Sequence, residues 1–68
     1  MKNFVIEPGI RFCKTDAPAT VWIVARLLDF ADAGEHVQLY QKDHPRRTLT
    51  VATSALRDKK MFRLAEAA

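Results

Sequence analysis

His36-Val37-Gln38-Leu39-Tyr40-Gln41-Lys42-Asp43-His44-Pro45-Arg46-Arg47-Thr48-Leu49-Thr50-Val51-Ala52 carries the plainest structural signal in the chain. Val37 and Leu39 alternate with polar neighbours, and Leu49 and Val51 do the same. Period-two alternation of this kind marks strands with one buried face. Between the two runs, Lys42-Asp43-His44-Pro45-Arg46-Arg47 has the composition of a hairpin connection. The stretch therefore reads as a strand, a polar turn and a second strand.

The next residues extend the pattern towards the C-terminus. Thr53-Ser54-Ala55-Leu56-Arg57-Asp58 shows no alternation. Ser54 can cap a single helical or 3₁₀ turn that drops Leu56 into the core. Met61-Phe62-Arg63-Leu64 then reads as a last short strand, with Phe62 and Leu64 on one side, and Ala65-Glu66-Ala67-Ala68 is expected to fray. A competing reading makes Ser54 to Ala68 one helix, on the propensities of Ala, Leu, Arg and Glu.

Towards the N-terminus, Phe4-Val5-Ile6 is a short apolar segment closed by the turn signal Glu7-Pro8-Gly9. Ile10-Arg11-Phe12-Cys13-Lys14 alternates again and reads as a first strand. Thr15-Asp16-Ala17-Pro18 reads as a loop, because proline lacks a donor and pushes the preceding residue towards extended geometry.

The segment Thr20 to Phe30 admits two readings. Val21-Trp22-Ile23-Val24 is dense in β-branched and aromatic residues, which favour a pleated surface. Ala25 to Ala33 has a helical wheel, with Asp16 as a possible N-cap and Gly34 as a terminator. The favoured reading is a long strand through about Leu28 and then a polar loop to Gly34, since β-branched residues resist helix nucleation and the sheet needs a neighbour. The alternative is an α+β chain with a helix at about 19–33.

Sixty-eight residues, 49% of them hydrophobic, are expected to form a single small domain over 1–68 with its core at about 8–64. One cysteine, Cys13, allows no intrachain disulfide, so a reducing compartment is expected. The longest apolar run, Val21 to Ala25, is too short to span a bilayer, and Met1-Lys2-Asn3-Phe4-Val5-Ile6-Glu7-Pro8 lacks the apolar core of a secretory signal. The expected location is cytoplasmic, without a membrane partner.

Net charge is +3. Lys42, Arg46, Arg47, Arg57, Lys59, Lys60 and Arg63 follow residue 41, whereas Asp29, Asp32 and Glu35 precede it. Such asymmetry permits an anionic partner without requiring one.

The succession of short strand, long strand, hairpin pair, Leu-bearing turn and last short strand resembles the five-stranded Src-homology-3-like small barrels, including Tudor and KOW-type domains. The residues carrying the likeness are Pro8-Gly9, Val21-Trp22-Ile23-Val24, His36-Val37-Gln38-Leu39, Leu49-Thr50-Val51, Ser54-Ala55-Leu56 and Met61-Phe62-Arg63-Leu64. The C-terminal half also resembles small bacterial proteins with an H-x-x-L…D-x-P…T-V-x₄-L-x-D-x₃-F arrangement. The resemblance implies a mainly β fold: one small barrel with a short 3₁₀ turn before its last strand. It further implies a binding module for peptides, modified side chains or nucleic acid. A methyl-residue reader would need an aromatic cage, and a proline-peptide binder would need an aromatic groove. With one Trp, one Tyr and four Phe, most of them needed in the core, this chain matches neither.

No catalytic or cofactor motif is present. Gly9 and Gly34 are isolated, so there is no phosphate loop, and no paired carboxylates lie in an apolar setting. His36 and His44 are eight positions apart with no second cysteine, which does not fit structural zinc. Cys13 would need a nearby histidine to act as a nucleophile. No enzymatic activity, metal or cofactor is therefore expected.

Two groups of residues stand out as candidate sites. Lys42, His44, Arg46 and Arg47 at the hairpin tip, with Lys59 and Lys60 brought near by a barrel, form a candidate anion or nucleic-acid site. A solubilising loop that discourages edge pairing is the plainer reading of the same residues. Trp22 and Tyr40 form a candidate aromatic interface. If Val21, Ile23 and Ala25 face the core, Trp22 and Val24 face outward. Burial of Trp22 in the core is the favoured alternative. The function expected is weak nucleic-acid binding through the basic hairpin, with Trp22 or Tyr40 as stacking platforms. The alternative is a protein-interaction domain, or a homodimer that buries Trp22 and an edge strand.

Overall fold

The computed structural model describes residues 5–65. They form one antiparallel five-stranded sheet with a single helical turn: β1 (Arg11–Lys14), β2 (Ala17–Phe30), β3 (Gly34–Gln41), β4 (Thr48–Ala52), α1 (Thr53–Leu56) and β5 (Phe62–Leu64). The strand order is β4-β3-β2-β1-β5. The two edge strands, β4 and β5, do not touch, so the sheet is open and not closed into the expected barrel. Mainly β architecture with a long second strand is as the sequence predicts. Phe4 and Glu66-Ala67-Ala68 lie outside the described residues.

Each connection follows from its residues. Glu7-Pro8-Gly9-Ile10 is a turn closed by the Ile10 N–H donating to the Glu7 carbonyl at 3.2 Å, with Gly9 at φ 95°. Proline followed by a residue of positive φ is the signature of a type II turn. Thr15-Asp16 connects β1 to β2. The register then skips from Cys13↔Val21 to Lys14↔Ala17, so Pro18-Ala19-Thr20 bulge out of the ladder. A bulge is where a strand accommodates proline. The expected loop at Ala17-Pro18 is therefore the irregular start of β2. After Phe30 the chain reverses through Ala31-Asp32-Ala33, and the Ala33 N–H donates to the Phe30 carbonyl at 3.1 Å. Gly34 then takes φ 82° and opens β3.

The longer hairpin loop folds as two successive turns. The His44 N–H donates to the Gln41 carbonyl at 3.2 Å and the Arg47 N–H to the His44 carbonyl at 2.9 Å. Pro45 occupies the second position of the latter turn, which its fixed φ suits.

Four readings require correction. The alternative helix at about 19–33 is absent. Those residues are strand and turn, because β2 is paired on both sides, with β1 and with β3. The turn before β5 is α rather than 3₁₀, with the Arg57 N–H donating to the Thr53 carbonyl at 3.0 Å. Its N-cap is Ala52, without a side-chain cap bond, so Ser54 sits inside the turn and does not cap it. Leu56 enters the core as the sequence predicts, 1% exposed. Phe62-Arg63-Leu64 is strand, which excludes the single C-terminal helix.

Ile6, Phe12, Val24, Val37, Leu39, Leu56 and Phe62 form the core, with Ile10, Trp22, Leu49 and Val51 packed at its margin. In an antiparallel sheet, residues directly opposite one another share a face. The pairs Phe12↔Trp22, Val24↔Leu39, Leu39↔Leu49 and Val37↔Val51 thus define one continuous inner face. This reverses the parity that would turn Val21 and Ile23 inward and Val24 outward, since Val24 is 1% exposed. Val21 to Ala25 is uniformly apolar, so the segment itself cannot fix its phase. The register shift between Val24 and Arg26 then makes Ala25 an extra residue, and Arg26 falls on the outer face. There its Nε donates to Gln38 Oε1 at 2.7 Å.

Candidate anion-binding end of the sheet

Strand direction gathers the basic residues. β1 ends, β3 ends and β5 begins at the same end of the sheet, because every neighbouring pair is antiparallel. Three connections meet there: the turn Thr15-Asp16, the loop from Lys42 to Arg47, and the turn that leads from Asp58 into Phe62. Lys42 is tied to β2 through its N–H, which donates to the Val21 carbonyl at 2.9 Å. The turn before β5 is tied to β1: the Thr15 N–H donates to the Met61 carbonyl at 3.0 Å, and the Thr15 hydroxyl donates to the Lys60 carbonyl at 2.6 Å. Asp58 Oδ1 accepts the Lys60 N–H at 2.9 Å, a turn in which aspartate bonds the backbone two residues on.

Lys42, His44, Arg46, Arg47, Lys59 and Lys60 are all exposed, so each can meet a ligand without losing a structural contact in the core. Lys42, His44, Arg46 and Arg47 share one loop. Lys59 and Lys60 sit at the same end on the β1–β5 side, with β2 between the two groups. Strands β1 and β3 are two interstrand spacings apart, roughly 10 Å. That is about one Debye length at 0.1 M salt, so the two groups contribute to a common potential. Lys14, the last residue of β1, joins them and was missed in the sequence. Its membership follows only from strand direction. The carboxylates at this end are Asp16, Asp43 and Asp58. At the opposite end, the β2–β3 turn carries Asp29, Asp32 and Glu35. A charge asymmetry along the sequence thus becomes a basic end and an acidic end.

The two candidate aromatics are not brought together. Trp22 lies opposite Phe12 and Gln41 on the inner face, whereas Tyr40 lies opposite Ile23 and Thr48 on the outer face. Trp22 packs at the margin of the core, and its Nε1 is buried with no hydrogen-bond partner among the described residues. Tyr40 is half-buried, one residue before the end of β3, beside the basic loop.

His36 has a structural role. Its Nδ1 lies 3.0 Å from the Gly34 carbonyl, and its ring meets Phe30 edge-on at 5.0 Å and 72°. A carbonyl only accepts, so Nδ1 carries the proton in that contact. Cys13 is buried on the outer face opposite Val21 and Arg63. Among the described residues, no three His, Cys, Asp or Glu side chains gather as a metal-binding group. No described helix is long and apolar enough to cross a membrane.

The chain is a small open antiparallel sheet with a single-turn helix and an exposed basic end. Comparisons with protein-family models, curated proteins and solved structures give no match.

Proposed function

We propose that this domain is a Src-homology-3-like binding module whose basic end engages the phosphate backbone of nucleic acid. The chain order of its elements supports the fold assignment: short strand, long strand, hairpin, single turn around Leu56, last short strand. The observation that carries the ligand reading is the convergence of Lys14, Lys42, Arg46, Arg47, Lys59 and Lys60 on one end, with Asp29, Asp32 and Glu35 at the other. A polyanion is attracted to the first and repelled by the second. Such binding is sequence-tolerant and salt-dependent. Tyr40, on the outer face beside the loop, is the stacking platform, while Trp22 serves the core.

Fluorescence anisotropy with a labelled single-stranded oligonucleotide tests this reading. Affinity should fall linearly in log–log form as salt rises. Replacing Arg46 and Arg47 together by alanine should lower the slope by about 1.4, at roughly 0.7 per phosphate contact. A flat titration at low salt would refute it.

A further inference from the structure

Among the described residues the sheet has two unpaired edges, and they are unlike. β5 has three residues and carries Arg63, and short charged edges resist pairing with another chain. β4, Thr48-Leu49-Thr50-Val51-Ala52, has five residues. Among the described residues it carries no charge, no proline and no bulge, three of the devices that usually protect an edge.

Its outward groups can be assigned. The Gln41 N–H donates to the Arg47 carbonyl at 3.0 Å, so that pair is bonded across the ladder. Bonded and non-bonded pairs alternate in antiparallel sheets. Leu49 and Val51 therefore bond to β3, and Thr48, Thr50 and Ala52 turn their N–H and C=O groups to the free edge.

We infer that β4 pairs antiparallel with β4 of a second copy, about a two-fold axis at Thr50. This register alone uses all three outward residues: Thr50 bonds Thr50 of the second copy, and Thr48 bonds its Ala52 in both directions. The inner-face residues Leu49 and Val51 then meet Val51 and Leu49, extending one apolar surface across the junction. Charge favours the same arrangement. Beyond Thr48 lie Arg47 and Arg46. Beyond Ala52 lies Thr53, whose hydroxyl donates to the Glu35 carbonyl at 3.4 Å. The antiparallel register sets Arg47 of each copy opposite Thr53 of the other, in one row with Glu35 at roughly two interstrand spacings, whereas a parallel register would set basic end against basic end. An isologous contact of this kind closes as a dimer without propagating. Five paired residues form a small interface, so association is weak and concentration-dependent.

Sedimentation equilibrium over a concentration series, without nucleic acid, tests the pairing. The wild-type mass should rise towards twice that of the chain. Thr50→Pro removes an outward N–H while sparing the bonds to β3. Thr50→Lys places like charges directly opposite at the axis. Each should weaken dimerisation by about tenfold or more, with the far-UV circular dichroism of the wild type retained. Thr50 is exposed, so Thr50→Lys stands as the deciding variant if the proline disturbs folding. A chain that stays monomeric at every concentration, or a dimer that Thr50→Lys leaves intact, overturns the inference.

Discussion

Phe12 and Trp22 face each other across β1 and β2, yet the two rings have different worth. Phe12 is 0% exposed and lies at the centre of the core. Truncating such a residue costs about 3–5 kcal/mol, through lost burial and the cavity left behind. Since small domains have only about 5–15 kcal/mol in total, Phe12→Ala should lose its far-UV sheet signal or melt far below the wild type. Trp22 buries its ring edge but leaves Nε1 unsatisfied, which costs about 1–3 kcal/mol. Trp22→Phe removes that donor together with part of the packing, so the net change should stay within about 1 kcal/mol. Urea denaturation followed by circular dichroism measures it. A loss as large as that for Phe12→Ala would show that the indole N–H is satisfied in solution. At this scale, burial of Leu56, Phe62, Val37 and Leu39 was legible in the sequence. The direction of Trp22 was not, because both parities of an all-apolar run look alike.

Among the elements, β4 was readable to the residue, since alternation and turn chemistry agree there. β3 and β2 run further than their sequence suggests, to Gly34 and Phe30. Asp29 and Glu35 are drawn into the ladder as partners, an extension that hairpin pairing imposes on residues without strand propensity. Gly34 makes that hairpin possible. An added Cβ would meet no atom within 4 Å, so the cost of Gly34→Ala arises from the backbone alone. Forcing an L-residue to φ 82° should destabilise by about 1–2 kcal/mol, read as a lower urea midpoint with an unchanged slope. The bulge at Ala25 was invisible for a different reason: a bulge is a mismatch between two strands, and neither carries it alone.

At the scale of the whole molecule, the sheet acts as a sorting device for charge. Alternate strand directions send the connections 15–16, 42–47 and 58–61 to one end and 31–33 to the other. On the proposed function, the acidic turn opposes the attraction of a polyanion to the basic end when salt is low. Replacing Asp29 and Asp32 by asparagine and Glu35 by glutamine should strengthen oligonucleotide binding modestly, by about two- to threefold at low salt, and the gain should vanish as salt rises. Anisotropy at two ionic strengths checks both outcomes. An increase that persists at high salt would mean that these carboxylates act by local contact and not through the field.

The sequence by itself determined the mainly β class, the strand–turn–strand unit at His36 to Ala52, the inward Leu56 and the basic hairpin, because each is written in local periodicity or turn chemistry. Only the tertiary structure decided the parity of β2, the openness of the sheet, the separation of Trp22 from Tyr40 and the inclusion of Lys14 at the basic end. These depend on register and strand direction between segments distant in the chain, where the energy resides in pairing and shared burial and not in any single stretch of residues.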